Sequence, residues 1–518
     1  MPRRSVFAAL FFAGAVVSGA TALQGIQPND EGLMLQAVER IARGQVPYGD
    51  FWWFYPPGQP YLLAGLRELA GPSLLTWRVL RVLVDATVGV LAFALALRGA
   101  GPRLALAAWG AAVLAMAYPS GPHPFPIALA LILGALLAFE RRPALAGALV
   151  GAAAAWRIEF AIFGAAGIVA GQLAGGGGRR AAGRFGLAAA VTAALLYAPV
   201  VIAAGAGPAW DLLVDYPLTD FRDYQSLPFP LSYDGPMNTS SVGGFMRDSL
   251  EPLLLFHLPL VLLIGLAGAA VALARRPLAP LLVAAGVFAL GAVAYLLVRA
   301  DLFHTAPLAV MVAILAAWAL GDPPRRPAAP GAVPAAPLPP PRRALRGIPA
   351  ALAGLALLYA VAEGLDRRWL VLRENTVALD LPVADGVRVP PRRAAELERV
   401  VRGLSRRGPI YVTTRRADLV TSGHPLLYVL AQRQNATRYD IPAPGVVTSA
   451  TVQREIIRDL ERARPRSVVR WTDPITAAPE ENAAGRSSGV RLLDDYLARA
   501  YQPAGRVGSF LLLERRAP

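Results

Sequence analysis

Apolar runs close to twenty residues long recur in this chain from its N-terminus to about residue 365. About twenty such residues cross the hydrocarbon core of a bilayer as a helix, so the pattern selects an α-helical polytopic membrane protein. Of 518 residues 55% are hydrophobic and only 17% charged, a balance that fits a bilayer better than water. The formal charge of +16 would suggest nucleic acid as the partner of a soluble chain. Here the basic residues are all arginine and, in the membrane part, cluster in short loops between apolar runs, so nucleic acid is not expected. The chain has no cysteine and four scattered histidines, which leaves neither disulfides nor a protein-built zinc site.

The arginines orient the spans. Arg3 and Arg4, Arg98 and Arg103, Arg141 and Arg142, Arg179 and Arg180, Arg275 and Arg276, and Arg325, Arg326, Arg342 and Arg343 share one side if about eleven helices cross. The positive-inside bias makes that side the cytoplasm of an inner or plasma membrane. The outward segments are then loop 24–72, residues 118–124, a tight turn near 157, 206–250, 299–304 and the C-terminal region. Ala20-Thr21-Ala22 imitates a signal-peptidase site, but cleavage there would detach the next segment from the membrane, and retention is expected.

Two units follow: a transmembrane domain over 1–366 and an extracytoplasmic α/β domain over 367–518. Within the first, the proline- and alanine-rich stretch 322–343 is expected to be a cytoplasmic linker. In the second, helix-like Ala394 to Leu404, Thr451 to Ala463 and Val490 to Ala500 alternate with strand-like Pro409 to Thr413, Ser467 to Trp471 and Ser509 to Leu513. It carries no phosphate-binding glycine loop and no catalytic triad, so a lid or docking module is expected.

Immediately after the first span stands an acidic pair, Asp30 and Glu31. Carboxylates at this depth are costly and are a functional signal by default. Asn29 and Asp30 also suit a helix N-cap, which would account for one acid. From Gly32 to Arg43, Leu33, Met34, Ala37, Val38 and Ile41 share one helical face, while Gln36, Glu39, Arg40 and Arg43 share the other, as in a helix lying along a membrane surface. Gly44 ends it. The aromatic run Trp52, Trp53, Phe54, Tyr55 reads as an interfacial belt, with sugar stacking as the functional alternative.

This combination carries a resemblance. The first span, Asn29-Asp30-Glu31-Gly32, the amphipathic helix, Gly44-Gln45-Val46-Pro47-Tyr48-Gly49-Asp50-Phe51 and Tyr55-Pro56-Pro57-Gly58-Gln59-Pro60-Tyr61 together resemble the first external loop of GT-C membrane glycosyltransferases. The likeness is closest to the protein O-mannosyltransferase and aminoarabinose transferase branch. It implies a GT-C-like fold and transfer of a sugar from a polyprenyl-phosphate donor to a glycan, lipid or protein acceptor of the cell envelope. The family's acid beyond the first span maps to Asp30, as general base, with Glu31 beside it as an assisting acid. Inversion at the anomeric carbon would follow.

A phosphate leaving group needs cations more than a proton donor. On the outer side, Arg157 stands at a tight turn with Glu159 as a local partner, and Arg299 precedes Asp301 and His304. Arg157 and Arg299 are the expected donor-phosphate ligands; Glu159, Asp301, His304, Arg222 and Tyr55 are supporting candidates. A solvated loop residue is the simpler reading of Arg222, a local ion pair that of Arg157, and snorkelling that of Arg299. His123, His257 and His424 are assigned no role. No cofactor is fixed: Asp30 and Glu31 offer a divalent cation two carboxylates, but the sequence shows no cage around them. The alternatives are a transporter or flippase of lipid-linked glycans, and a non-catalytic envelope-assembly protein of the same fold.

Overall fold

The computed structural model describes residues 4–116, 123–176, 178–235, 237–274, 276, 279–321, 340–404 and 408–517. Among them, six helices are long and apolar enough to cross a membrane, and five shorter apolar helices accompany them. In chain order the first nine helices are α1 (Arg4–Gly19), α2 (Asp30–Ile41), α3 (Gly58–Ala70), α4 (Leu74–Ala96), α5 (Pro102–Met116), α6 (Phe125–Ala138), α7 (Pro143–Ala154), α8 (Ile158–Ala174) and α9 (Arg179–Ala204). Short helical turns between 206 and 248 lead to α10 (Leu250–Leu273), α11 (Pro280–Val298), α12 (Leu302–Leu320) and α13 (Pro340–Arg373). Of the linker expected over 322–343, residues 322–339 lie outside the described residues.

Small residues set the closest helix approaches. A Cβ on Gly147 would lie 2.1 Å from the Phe185 carbonyl oxygen, and one on Gly151 2.3 Å from that of Ala189. The four-residue spacing of these glycines therefore lets the backbones of α7 and α9 touch, which is how helices gain packing in lipid without a hydrophobic drive.

After α13 the chain builds the helices α14 (Pro391–Gly403), α15 (Ala450–Ala463) and α16 (Leu492–Ala500), with a shorter helix at Leu426–Leu430. They accompany a four-stranded sheet of β1 (Ile410–Thr413), β2 (Ser467–Trp471), β3 (Tyr501–Val507) and β4 (Phe510–Arg515). The order is β1-β2-β4-β3, with β1 and β2 parallel and the other pairs antiparallel. All six expected elements form within three residues of their predicted ends. The edge strand β3 was not foreseen; its proline is tolerated because the strand is an edge, with a register shift between Pro503 and Gly505.

This α/β unit sits directly on the loop after α1. Residues Glu31 to Arg40 of α2 are all buried. The polar face of α2, expected to meet solvent and headgroups, meets protein instead. Arg40 donates from Nε to Asp440 Oδ2 at 2.6 Å and from Nη2 to Oδ1 at 2.8 Å, and Gln36 donates to the same carboxylate at 3.2 Å. Gly32 is pressed so close to the backbone of Pro425 and Leu426 that a Cβ would lie 2.1 Å from the Leu426 nitrogen. The aromatic belt is likewise corrected to a core: Phe51 and Trp53 are buried, Trp52 packs edge-on against Tyr216 with centroids 5.3 Å apart, and its backbone amide donates to the Arg438 carbonyl at 3.0 Å.

Candidate active site

Three charged residues on α4, Arg78, Arg81 and Asp85, share one helical face and all point inward. Arg78 forms a buried pair with Glu31, at 3.0 Å, and its remaining donors reach the carbonyls of Ala22 at 2.9 Å and Gly25 at 2.8 Å. Glu31 Oε2 also accepts the Gln27 amide at 3.2 Å. Its carboxylate therefore staples the turn between α1 and α2 to α4. Deeper along α4, Arg81 pairs with Asp85 at 2.7 Å, Ser18 of α1 donates to Asp85 at 2.9 Å, and Arg81 donates to the Met116 carbonyl at 2.8 Å. Arg368 of α13 donates to the Leu114 and Val113 carbonyls at 2.9 and 3.1 Å. These arginines satisfy carbonyls that a helix end otherwise leaves without partners.

Asp30 faces a different set of groups from its neighbour. Asn29 occupies the N-cap position of α2 but makes no capping bond through its side chain; its amide donates to Asp30 Oδ1 at 3.0 Å, and its oxygen accepts the Gly423 amide of the α/β unit at 3.2 Å. Burial pushes the Asp30 carboxyl above the usual carboxylate range, with the Asn29 hydrogen bond and the charges of Arg299 and His304 pulling the other way and Asp301 adding to the rise. Those three residues come from the junction of α11 and α12. Asp301 caps α12 by accepting the His304 amide at 3.0 Å and holds the His304 ring at 2.7 Å. Burial would raise the Asp301 carboxyl, but the His304 hydrogen bonds and charge, with Arg299 beside it, hold it below the usual range.

Arg299 lies 3.3 Å from Asp301 and also pairs with Glu480 of the α/β unit at 2.6 Å, while donating to the Gln225 carbonyl at 2.9 Å. The His304 ring lies against Tyr295, centroids 4.3 Å apart. Arg157 stands over the opposite neighbours of this cluster, 4.9 Å from the Tyr295 ring centre and 5.8 Å from that of Tyr55, and pairs with Glu159 at 2.7 Å. Tyr55 is fixed by its backbone, which accepts the Tyr48 hydroxyl at 2.8 Å, and burial raises its phenol above the ordinary value.

The fold thus gathers Asp30, Tyr55, Arg157, Glu159, Arg299, Asp301 and His304, drawn from three loops, at the end of the bundle that carries the α/β unit. Arg222 does not join them. Its side chain is exposed and has no hydrogen bond or ion pair among the described residues. Glu31 belongs to the Arg78 staple. Asn29, read in the sequence only as a capping and motif residue, joins the cluster, and Tyr295 and Glu480 are members that the sequence did not single out. Among the described residues no group of three or more acidic or histidine side chains is placed to hold a metal. The Glu31 carboxylate is already paired with Arg78.

On its other side, Asp30 borders a cavity of about 440 Å³ between the loop and the α/β unit. Gln27 and Asn29 line it from the loop, and Arg393, Ser422, Trp471 and Asp473 from the α/β unit.

No family model and no curated protein sequence matches this chain. Solved structures do. ArnT from Cupriavidus metallidurans, solved bound to undecaprenyl phosphate, superposes with a TM-score of 0.54 at 15% identity, covering 99% of each chain. The arabinofuranosyltransferase AftD from Mycobacteria superposes with a TM-score of 0.50 at 15% identity, over 100% of this chain and 40% of its own. These superpositions show that the chain shares the fold of ArnT, in agreement with the GT-C-like fold that the loop motif implied.

Proposed function

We propose that this protein is an integral membrane glycosyltransferase that moves a sugar from a polyprenyl-phosphate donor to an acceptor hydroxyl of the cell envelope. The observation that carries the proposal is the position of Asp30, between a cavity on one side and the Arg299, Asp301 and His304 cluster on the other. Support comes from the fold shared with ArnT, a protein solved with undecaprenyl phosphate bound.

Asp30 is the general base. Its carboxylate takes the proton of the acceptor hydroxyl while that oxygen bonds to the anomeric carbon from the face opposite the phosphate. The bond from the anomeric carbon to the phosphate oxygen breaks, its electron pair leaves with the polyprenyl phosphate, and the configuration inverts. Burial serves this role by making the carboxylate a stronger proton acceptor.

Arg299 and Arg157 face the leaving phosphate. Both already hold carboxylates, Glu480 and Glu159, and these partners keep the guanidinium groups oriented in the absence of donor. Asp301 and His304 hold the turn that presents Arg299. Glu31 is a positioning residue rather than an assisting acid. The site and the α/β unit lie on the extracytoplasmic face, a reading supported by the arginine clusters in the loops on the other side.

The test is turnover of a radiolabelled polyprenyl-phosphate sugar by the purified protein in detergent, with membrane extract as acceptor source. Label must leave the donor, appear in a larger product, and leave one polyprenyl phosphate behind per transfer. A protein that binds the lipid donor and carries it across a vesicle membrane without breaking the glycosyl bond would replace the enzyme with a transporter.

A further inference from the structure

We infer that the cavity beside Asp30 is the acceptor subsite, and that it takes a neutral or amino-bearing saccharide rather than an acidic glycan or a polypeptide. The inference rests on Asp30 being the base, and it follows from how charge is divided around that residue.

Toward the bundle, Asp30 meets Arg299 and His304, and Arg157 lies beyond them. On that side the cations are matched by Asp301, Glu480 and Glu159, whereas toward the cavity Asp30, Glu374 and Asp473 stand against a single guanidinium, that of Arg393. A phosphate finds guanidinium groups on the first side and is repelled from the second, since like charges in a partly desolvated pocket interact strongly. The hydroxyl that gives its proton to Asp30 must then approach through the cavity.

The wall is also chemically incomplete. Gln27, Ser422, Arg393 and the exposed Glu374 line the cavity, and the Gln27 side-chain amide, the Ser422 hydroxyl, the Glu374 carboxylate and the Arg393 guanidinium have no hydrogen-bond or ion-pair partner among the described residues. Asp473 gives one oxygen to the Ile475 amide at 3.1 Å. Carboxylates, an amide and a hydroxyl at one wall match the alternating donors and acceptors of a saccharide, whose hydroxyls both give and take hydrogen bonds. An amino group adds a favourable charge against the three carboxylates, whereas a uronate or phosphate adds an unfavourable one. The Trp471 and Ile475 side chains supply the apolar floor that a sugar ring covers. A volume of about 440 Å³ lies in the range of small-molecule sites.

The experiment is ligand binding by the intact protein in detergent, read by saturation-transfer NMR. The probes are cellobiose, the glucosamine disaccharide, a glucuronate-containing disaccharide and a serine- and threonine-bearing hexapeptide. The first two should bind; Ser422→Trp, which fills the cavity, should weaken both about tenfold, the loss of one well-placed contact, and Arg393→Gln, which removes a donor together with the cavity's one guanidinium, should weaken cellobiose by about as much and the glucosamine disaccharide less. Polyprenyl-phosphate affinity is measured on the same samples and should be unchanged in both variants, which shows that they are folded. Preference for the acidic disaccharide or the peptide, saccharide binding indifferent to Ser422→Trp, or no saccharide binding at all would overturn the inference. If polyprenyl phosphate itself fails to bind wild type, the donor reading fails instead.

Discussion

Replacing Glu31 with Gln removes one charge from a pair whose side chains are 0% exposed at Glu31 and 1% at Arg78. Breaking a buried pair from one side costs about 3–5 kcal/mol, because the remaining charge is left without compensation. Arg78 keeps two carbonyl acceptors, at Ala22 and Gly25, and the new amide oxygen can still accept from it. The expected loss is therefore at the lower end, about 3 kcal/mol. Thermal unfolding in detergent reads this as a lowered midpoint, with turnover per folded molecule reduced far less than in an Asp30 variant. The double change Glu31→Leu with Arg78→Met, which leaves no orphan charge, should recover much of the stability. A Glu31→Gln protein as stable as wild type yet as inactive as an Asp30 variant would refute the reasoning and place Glu31 in the proton transfer.

Three further outcomes follow from the site. Arg299→Ala should weaken binding of the polyprenyl-phosphate donor by about 10- to 100-fold, the value of a charge-assisted contact, with Arg299→Lys recovering only part because it lacks the planar fork; equal donor affinity in all three proteins would return Arg299 to its structural pairs with Asp301 and Glu480. Asn29→Ala removes a hydrogen bond that stabilises the ionised Asp30, whose carboxyl burial already raises, so the acidic limb of kcat/KM should move to higher pH; a limb that stays in place, or moves to lower pH, would contradict Asp30 as the titrating base. Single cysteines can report topology because the chain has none of its own: an impermeant thiol reagent on intact cells, or on cells with a permeabilised outer membrane, should label cysteine at the exposed Asp50 and Glu481 and spare one at the exposed Arg141, and the reverse pattern would put the site in the cytoplasm.

The apolar runs, the loop motif and the alternation of the C-terminal unit were legible because each is a local pattern repeated over many residues. The two parts of the site that faced each other were legible for the same reason: Asp30 directly follows a span, and Arg157 and Arg299 break the charge bias at outward turns. What escaped was long-range. Arg40 and Asp440 are 400 positions apart, so an amphipathic helix buried on both faces reads in sequence like one floating on a membrane. The same burial turns Trp52 and Trp53 from belt residues into core. Glu480, the partner of Arg299, lies in a loop with no pattern of its own. The α4 face was different: Arg78, Arg81 and Asp85 fall three and four residues apart within an apolar helix, a signal that was present and would have pointed to Glu31 as a structural partner.

The central claim is that Asp30 accepts the proton of the acceptor hydroxyl. Its most direct test is the turnover of a radiolabelled polyprenyl-phosphate sugar by Asp30→Asn, alongside donor affinity and thermal midpoint. Asparagine keeps the size of the side chain and one acceptor oxygen but cannot take the proton. The account predicts unchanged folding and donor binding with turnover lowered by about 10²- to 10⁴-fold, the range of general-base contributions. Turnover within a few-fold of wild type in a folded, donor-binding Asp30→Asn protein would contradict it.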